Sequence, residues 1–198
     1  MSARGIGCVL ILAWSVLMAD QPSSSGKRKL AVNLIQSLHK EPWPGAINIC
    51  NPACWVFRFT APMQALLDLG SDAQESLVKA LTDEEICDQA IIVLGGVGDE
   101  RAVAPIIEAM RSATSDPNLD RRRRTLLAGN LALTNITTAD VIWHHGGGIT
   151  FPARCPDDPA TCWTEWWEQR APTFRVRDIK QSRRYTNYPN YGVYRGLP

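Results

Sequence analysis

The sequence predicts an all-α fold: a short α-solenoid of stacked helix pairs, closed by a loop and a Trp-rich helix and followed by an extended C-terminal tail. Three observations carry this. From Ala61 to Leu133 the apolar residues recur at helical spacing in short blocks. Each block has one apolar stripe that it cannot bury alone, the condition that makes helix pairs stack. The blocks are divided by tight punctuation, most clearly at Gly95-Gly96-Val97-Gly98-Asp99-Glu100. The chain divides into 1–19, an export signal; 20–52, a linker and first helix; 53–138, the repeats; 139–174, a capping loop and Trp helix; and 175–198, a basic, Tyr-rich tail.

The start has the anatomy of a signal peptide. Arg4 precedes an apolar run from Gly7 to Ala19, and Leu17-Met18-Ala19 offers a small-residue cleavage site before the polar Asp20-Gln21-Pro22-Ser23. The run is short for a membrane span. An uncleaved anchor is the alternative. No other run reaches spanning length, so the cleaved chain is expected to be exported, periplasmic or extracellular, without crossing a membrane. The 21 basic and 20 acidic residues nearly balance, but unevenly. From Arg175 onward six basic residues (Arg175, Arg177, Lys180, Arg183, Arg184, Arg195) face only Asp178, so a cationic tail follows an anionic body.

The elements follow in order. Lys29 to Lys40 reads as a helix with Leu30, Leu34, Ile35 and Leu38 inward, stopped by Pro42, Pro44 and Gly45. Asn51-Pro52 reads as a cap and first-turn proline, opening a helix through Trp55, Phe59, Met63, Leu66, Leu67 and Leu69 that kinks or restarts at Pro62 and ends at Gly70. Asp72 to Leu81 is the return helix. Thr82-x-x-Glu85 reads as a capping box for a helix burying Ile86, Ala90, Val93 and Leu94 and ending at Gly95. Asp99 caps a helix with the stripe Val103, Ile106, Ile107 and Met110, with Pro105 near its first turn. Ser115-Asp116-Pro117 turns the chain, and Asp120 caps a helix carrying Leu126, Leu127 and Leu131.

The stretch "ALLDLGSDAQESLVKALTDEEICDQAIIVLGGVGDERAVAPIIEAM" resembles two HEAT-like repeats of the phycobilisome-lyase type. The pattern rests on Leu94-Gly95, Gly98-Asp99, Arg101-Ala102-Val103 and Pro105-Ile106-Ile107. The resemblance implies a helical-repeat fold over roughly 53–138. It implies no lyase activity, because the shared residues are helix-packing ones. "NLALTNIT" and "DPATCWTEWWEQ" are similar to the ends of secreted bacterial HEAT arrays. There Trp163, Trp166 and Trp167, at i, i+3 and i+4, share one face and cap the stack; an exposed aromatic platform is the alternative.

Candidate sites are few. Five cysteines survive cleavage, and in an oxidising compartment Cys50 with Cys54 and Cys155 with Cys162 are the disulfide candidates, leaving Cys87 as a buried small hydrophobe. A bridged 155–162 loop would contribute about 2–3 kcal/mol, less any strain. His144, His145, Cys155 and Cys162 are the alternative metal ligands, though adjacent histidines point apart on an extended chain. Arg121-Arg122-Arg123-Arg124 opens a predicted helix, where the dipole disfavours cations by about 0.3–1 kcal/mol; the run is either a solvated face or an anion contact. In the tail Tyr185, Tyr188, Tyr191 and Tyr194 recur every third residue, a spacing that polyproline II would align beside Arg183, Arg184 and Arg195. Nucleotide-binding, serine-hydrolase and zinc-protease motifs are absent, none of His39, His144 and His145 precedes a Glu, and no cofactor is called for. Asn135-Ile136-Thr137 is a formal glycosylation sequon.

The expected function is therefore non-catalytic: an exported scaffold or accessory subunit holding a protein or acidic envelope partner through Arg121–Arg124, Arg183, Arg184 and the tail tyrosines, with no nucleic acid and the oligomeric state open. The alternatives are a metal- or thiol-dependent enzyme built on the His144/His145/Cys155/Cys162 loop, or a structural subunit assembled through its tail.

Overall fold

The computed structural model describes residues 23–43, 46–50, 54–137, 158–174 and 191–193. The export signal, the loop with His144, His145 and Cys155, and the tail residues Arg183, Arg184, Tyr185, Tyr188 and Tyr194 lie outside the described residues.

The described chain is mostly helical. Helix α1 (Ser24–Leu38) begins ahead of its predicted start because the Ser23 hydroxyl accepts a hydrogen bond from the Gly26 amide at 3.3 Å; part of the expected linker is an N-cap. It buries Ala31, Ile35 and Leu38 and leaves Leu30 exposed, shifting the predicted stripe by one residue.

The next segment corrects the sequence reading. The expected helix through Trp55 is a hairpin: β1 (Ala46–Cys50) pairs antiparallel with β2 (Cys54–Arg58), and Asn51-Pro52, expected to open that helix, lies outside the described residues. The i, i+4 spacing of Trp55, Phe59 and Met63 is coincidental. Trp55-Val56-Phe57 is β-prone, and a helix running through Pro62 would lose a backbone hydrogen bond and clash. Cys50 and Cys54, expected at a helix start, are partners across the hairpin. Strand β3 (Tyr191–Val193) pairs antiparallel with the other edge of β2, Arg58 opposite Tyr191. Tyr191 is therefore in a sheet, not in a polyproline-II run.

Helix α2 (Ala61–Leu69) starts where Pro62 is tolerated, within the first turn. It ends at Gly70, whose φ of 62° suits glycine. A 3-10 turn (Gly70–Ala73) leads into α3 (Gln74–Ala80). The predicted capping box does not form. Thr82 Oγ1 donates back to the Lys79 carbonyl at 3.0 Å, and Asp83 accepts from the Glu85 amide at 3.1 Å. Helix α4 (Cys87–Val97) begins only after that turn and runs through Gly95 and Gly96. Asp99 caps α5 (Glu100–Ala113) as predicted, accepting from the Arg101 amide at 2.9 Å, and also takes a 2.6 Å bond from Gln74 Nε2. Burial works to raise the Asp99 pKa, but the Arg101 and Gln74 bonds outweigh it and hold the carboxyl below its usual value. The cap of α6 (Leu119–Ile136) is Asn118, with Asp120 inside the first turn, and Asp158 caps α7 (Pro159–Arg170).

Neighbours in sequence pack together: α1 on α2, α3 on α4, α5 on α6 and α6 on α7. Alternate helices also touch, with α2, α4 and α6 in contact along one row and α1, α3, α5 and α7 along the other. Helix α4 sits inside this arrangement with all its residues buried, as an all-round apolar sequence requires.

Two glycines set the spacing by their lack of a side chain. A Cβ at Gly98 would stand 2.6 Å from the Leu94 carbonyl oxygen and 2.9 Å from Ala102 Cβ; a Cβ at Gly129 would stand 2.4 Å from both Cγ and Sδ of the buried Met110. The Gly98-Asp99 punctuation is thus a matter of room as well as turn chemistry. Gly129→Ala is expected to destabilise the fold by about 1–3 kcal/mol through overpacking. Combined with Met110→Ala it should cost less than the two separate losses together, by more than about 0.5 kcal/mol in urea unfolding. Additive losses would show that α5 and α6 do not meet through this pair.

Candidate functional site

A half-open groove of about 570 Å³ lies where the end of α3, the start of α4, the outer face of α5 and the start of α6 converge. Val78, Leu81, Pro105, Ala109, Ala113 and Pro117 give it apolar walls. Thr82, Ser112, Ser115 and Thr125 add hydroxyls, Cys87 joins the lining, and Glu84, Glu108, Asp116 and Arg121 carry the charge. Pro105, Ala109 and Ala113 are spaced i, i+4 and i+8, so a strip of small side chains runs along α5 beside its core stripe, with Ala113 buried. Pro105 lies one turn deeper in α5 than the sequence reading placed it.

Arg121 is bound to both oxygens of Asp116, through its Nε and, at 2.9 Å, its Nη2, and it also pairs with Glu84 at 2.9 Å. The Arg121 bond holds the Asp116 carboxyl below its usual value, and the same bond raises the guanidinium pKa, so both stay ionised. Arg122 donates to the Thr114 carbonyl at 3.3 Å. Arg124 pairs with Asp88 at 2.9 Å and lies over the Trp43 ring, 5.3 Å from its centroid. Arg123 is exposed. The run thus serves three internal contacts and leaves one solvated guanidinium.

The Trp helix has its polar edge solvated and its rings turned inward. Trp163 is buried and its indole N–H donates to Asn130 Oδ1 of α6 at 3.0 Å. Trp166 meets Trp163 edge-on at 5.4 Å and stacks on Trp167 at 6.2 Å, and Phe174 meets both outer rings edge-on. The helix packs on α5 and α6. Cys162 lies buried on the same helix and is not among the free thiols, unlike Cys87. Thr137 of the sequon is fully buried, with its hydroxyl bonded to the Leu133 carbonyl at 2.7 Å.

The groove was missed by sequence reasoning. The signal that could have found it is the Pro105, Ala109 and Ala113 strip, too small to fill the space against α3. His39 was missed as well. It caps the end of α1 and holds Asp83 and Glu85, one at each ring nitrogen, both at 3.1 Å. Among the described residues no group of three or more His, Cys, Asp or Glu is placed to hold a metal ion, and no helix is long and apolar enough to cross a membrane. No family model matches the chain, and neither a curated protein nor a solved structure is found similar to it.

Two outcomes follow from the buried groups beside the groove. Burial, then the nearby charges of Asp88 and Asp83, push the Cys87 thiol up to about 12. It stays protonated near neutrality, and the thiolate is the reactive form. Iodoacetamide should therefore leave Cys87 unmodified in the folded chain and alkylate it in denaturant, read on its peptide by mass spectrometry. Asp88 is held above the usual carboxylate range by burial, against the pull of Arg124. Arg124→Met strands that carboxylate. About 2 kcal/mol should be lost at neutral pH, less than for a fully buried pair because Arg124 is partly exposed. A carboxyl with a raised folded pKa weakens folding as pH rises through that pKa. The loss should therefore shrink as the pH is lowered from about 7 to 4. A loss independent of pH in chemical unfolding would show that Asp88 is not the group left uncompensated.

Proposed function

We propose that this chain is an exported, HEAT-like solenoid that acts as a scaffold or accessory subunit, holding a protein or envelope partner without performing catalysis. The observation that carries the reading is the groove: apolar walls and a charged rim supplied by helices of both rows. Sites on such elements are pre-formed, which lowers the entropic cost of binding. The repeat interpretation is supported by the alternate packing of two helix rows and by Gly98, where a side chain would collide with the preceding turn. A Cys155–Cys162 disulfide, supported by the absence of a free thiol at Cys162, would staple the loop that leads into the capping helix. Export rests on the apolar run after Arg4.

The test is in-cell cross-linking of the full chain in its native envelope fraction, with neighbours identified by mass spectrometry. The variant Ala109→Trp, which fills the groove, and a chain stopped after Phe174 are compared with it. One dominant neighbour at fixed stoichiometry, lost on filling the groove, is the expected result. The absence of any specific neighbour of the unmodified chain would overturn the scaffold reading.

A further inference from the structure

We infer that the groove takes an extended segment of a partner protein in which apolar side chains alternate with lysine or arginine. The inference deepens the binding reading above and rests on it. It also turns on a change of sign. The sequence presents Arg121–Arg124 as an attraction for anions, but Arg121, the arginine that reaches the groove, is already engaged. Asp116 holds it at both carboxylate oxygens and Glu84 adds a third contact. An incoming anion would have to displace the Asp116 carboxylate, which holds the guanidinium through both oxygens, to reach it. What the rim offers outward is acidic. Glu84 and Glu108 have side chains 76% and 61% exposed, each paired only at the surface, with Arg121 and Arg111 respectively. Exposed pairs of this kind contribute little and exchange readily for a better placed cation.

The walls define the rest of the occupant. Small or rigid residues, Pro105, Ala109 and Pro117, leave the groove wide enough for an apolar side chain. The volume of about 570 Å³ is that of a small ligand or a few residues. The groove is half open to solvent, so a chain can lie along it. An extended segment places alternate side chains on opposite sides, which lets apolar anchors enter the floor while cations meet the carboxylates at the rim. Charge complementarity of this type sets partner choice and encounter rate more than bulk affinity.

The experiment uses the purified full chain and two fluorescein-labelled probes read by fluorescence polarisation. One is Ala-Leu-Lys-Leu-Arg-Leu-Ala; the other has Glu in place of both cations. The unmodified protein should bind the basic probe at least about tenfold more tightly than the acidic one. Glu84→Lys with Glu108→Lys should abolish or reverse that preference; both positions are exposed, so circular dichroism should be unchanged. Ala109→Trp should weaken the basic probe by at least about tenfold. Equal binding of the two probes, a preference that survives the double charge reversal, or no binding of either probe up to about 1 mM would overturn the inference. A cross-linked neighbour that persists alongside any of these results leaves the scaffold reading standing and sinks this one alone. Loss of the neighbour itself strikes the reading beneath.

Discussion

Helix α4 has no side that faces water. Every residue from Cys87 to Val97 is buried, and the rest of the described chain is arranged to make that true. An apolar cylinder must be covered all round, so α2 and α6 flank it in one row and α3 and α5 close over it from the other. Each fully buried Ile, Leu or Val on it contributes about 1.5–3 kcal/mol relative to exposure. Such residues follow one another without a break from Ile91 to Leu94 and return at Val97. The close approach of these helices is what leaves no room for a side chain at Gly98 or Gly129.

The polar start of α4 cannot escape the same burial, and its contacts follow from that. Asp88, in the first turn of α4, accepts from the Gln89 amide at 2.8 Å, and it requires a cation, which Arg124 supplies from α6. Trp43, just beyond the end of α1, lies against the guanidinium. Gln89 donates to the Leu38 carbonyl at 3.4 Å, one of the acceptors left over at the end of α1. A buried charge with its partners therefore joins three separate segments. Burial pushes the neighbouring thiol in the same direction: Cys87 lines the groove but is kept protonated and inert by the surroundings that make α4 a core helix.

Some of this was legible in the sequence. The stripes of α5, the Asp99 cap, the fate of Cys87 and the shared face of the three tryptophans follow from local spacing, and spacing along one helix is fixed by 3.6 residues per turn. The hairpin was not legible. Cys54 to Arg58 satisfies a helical period and a β-prone composition at once, and pairing with β1 and with the distant Tyr191–Val193 decides between them. The capping box failed for a similar reason: the Thr82 hydroxyl turns back to the Lys79 carbonyl, and the Glu85 carboxylate is taken by His39 at the end of α1. Neither the groove nor the use of the arginine run could be read, since both depend on helices brought together from distant parts of the chain.

The sequence by itself determined a helical class, the breaks at Gly70 and Asp99 and the inward stripe of α5, because these depend on propensity and periodicity within a few residues. The tertiary structure alone decided which polar groups meet. It set Arg121 against Asp116 and Glu84, and Arg124 against Asp88 and Trp43, and it opened a groove where the small residues of α5 face the end of α3. Charge on a sequence is only a count; its sign at a surface depends on which charges are already neutralised by neighbours, and that is a property of distance in the folded chain.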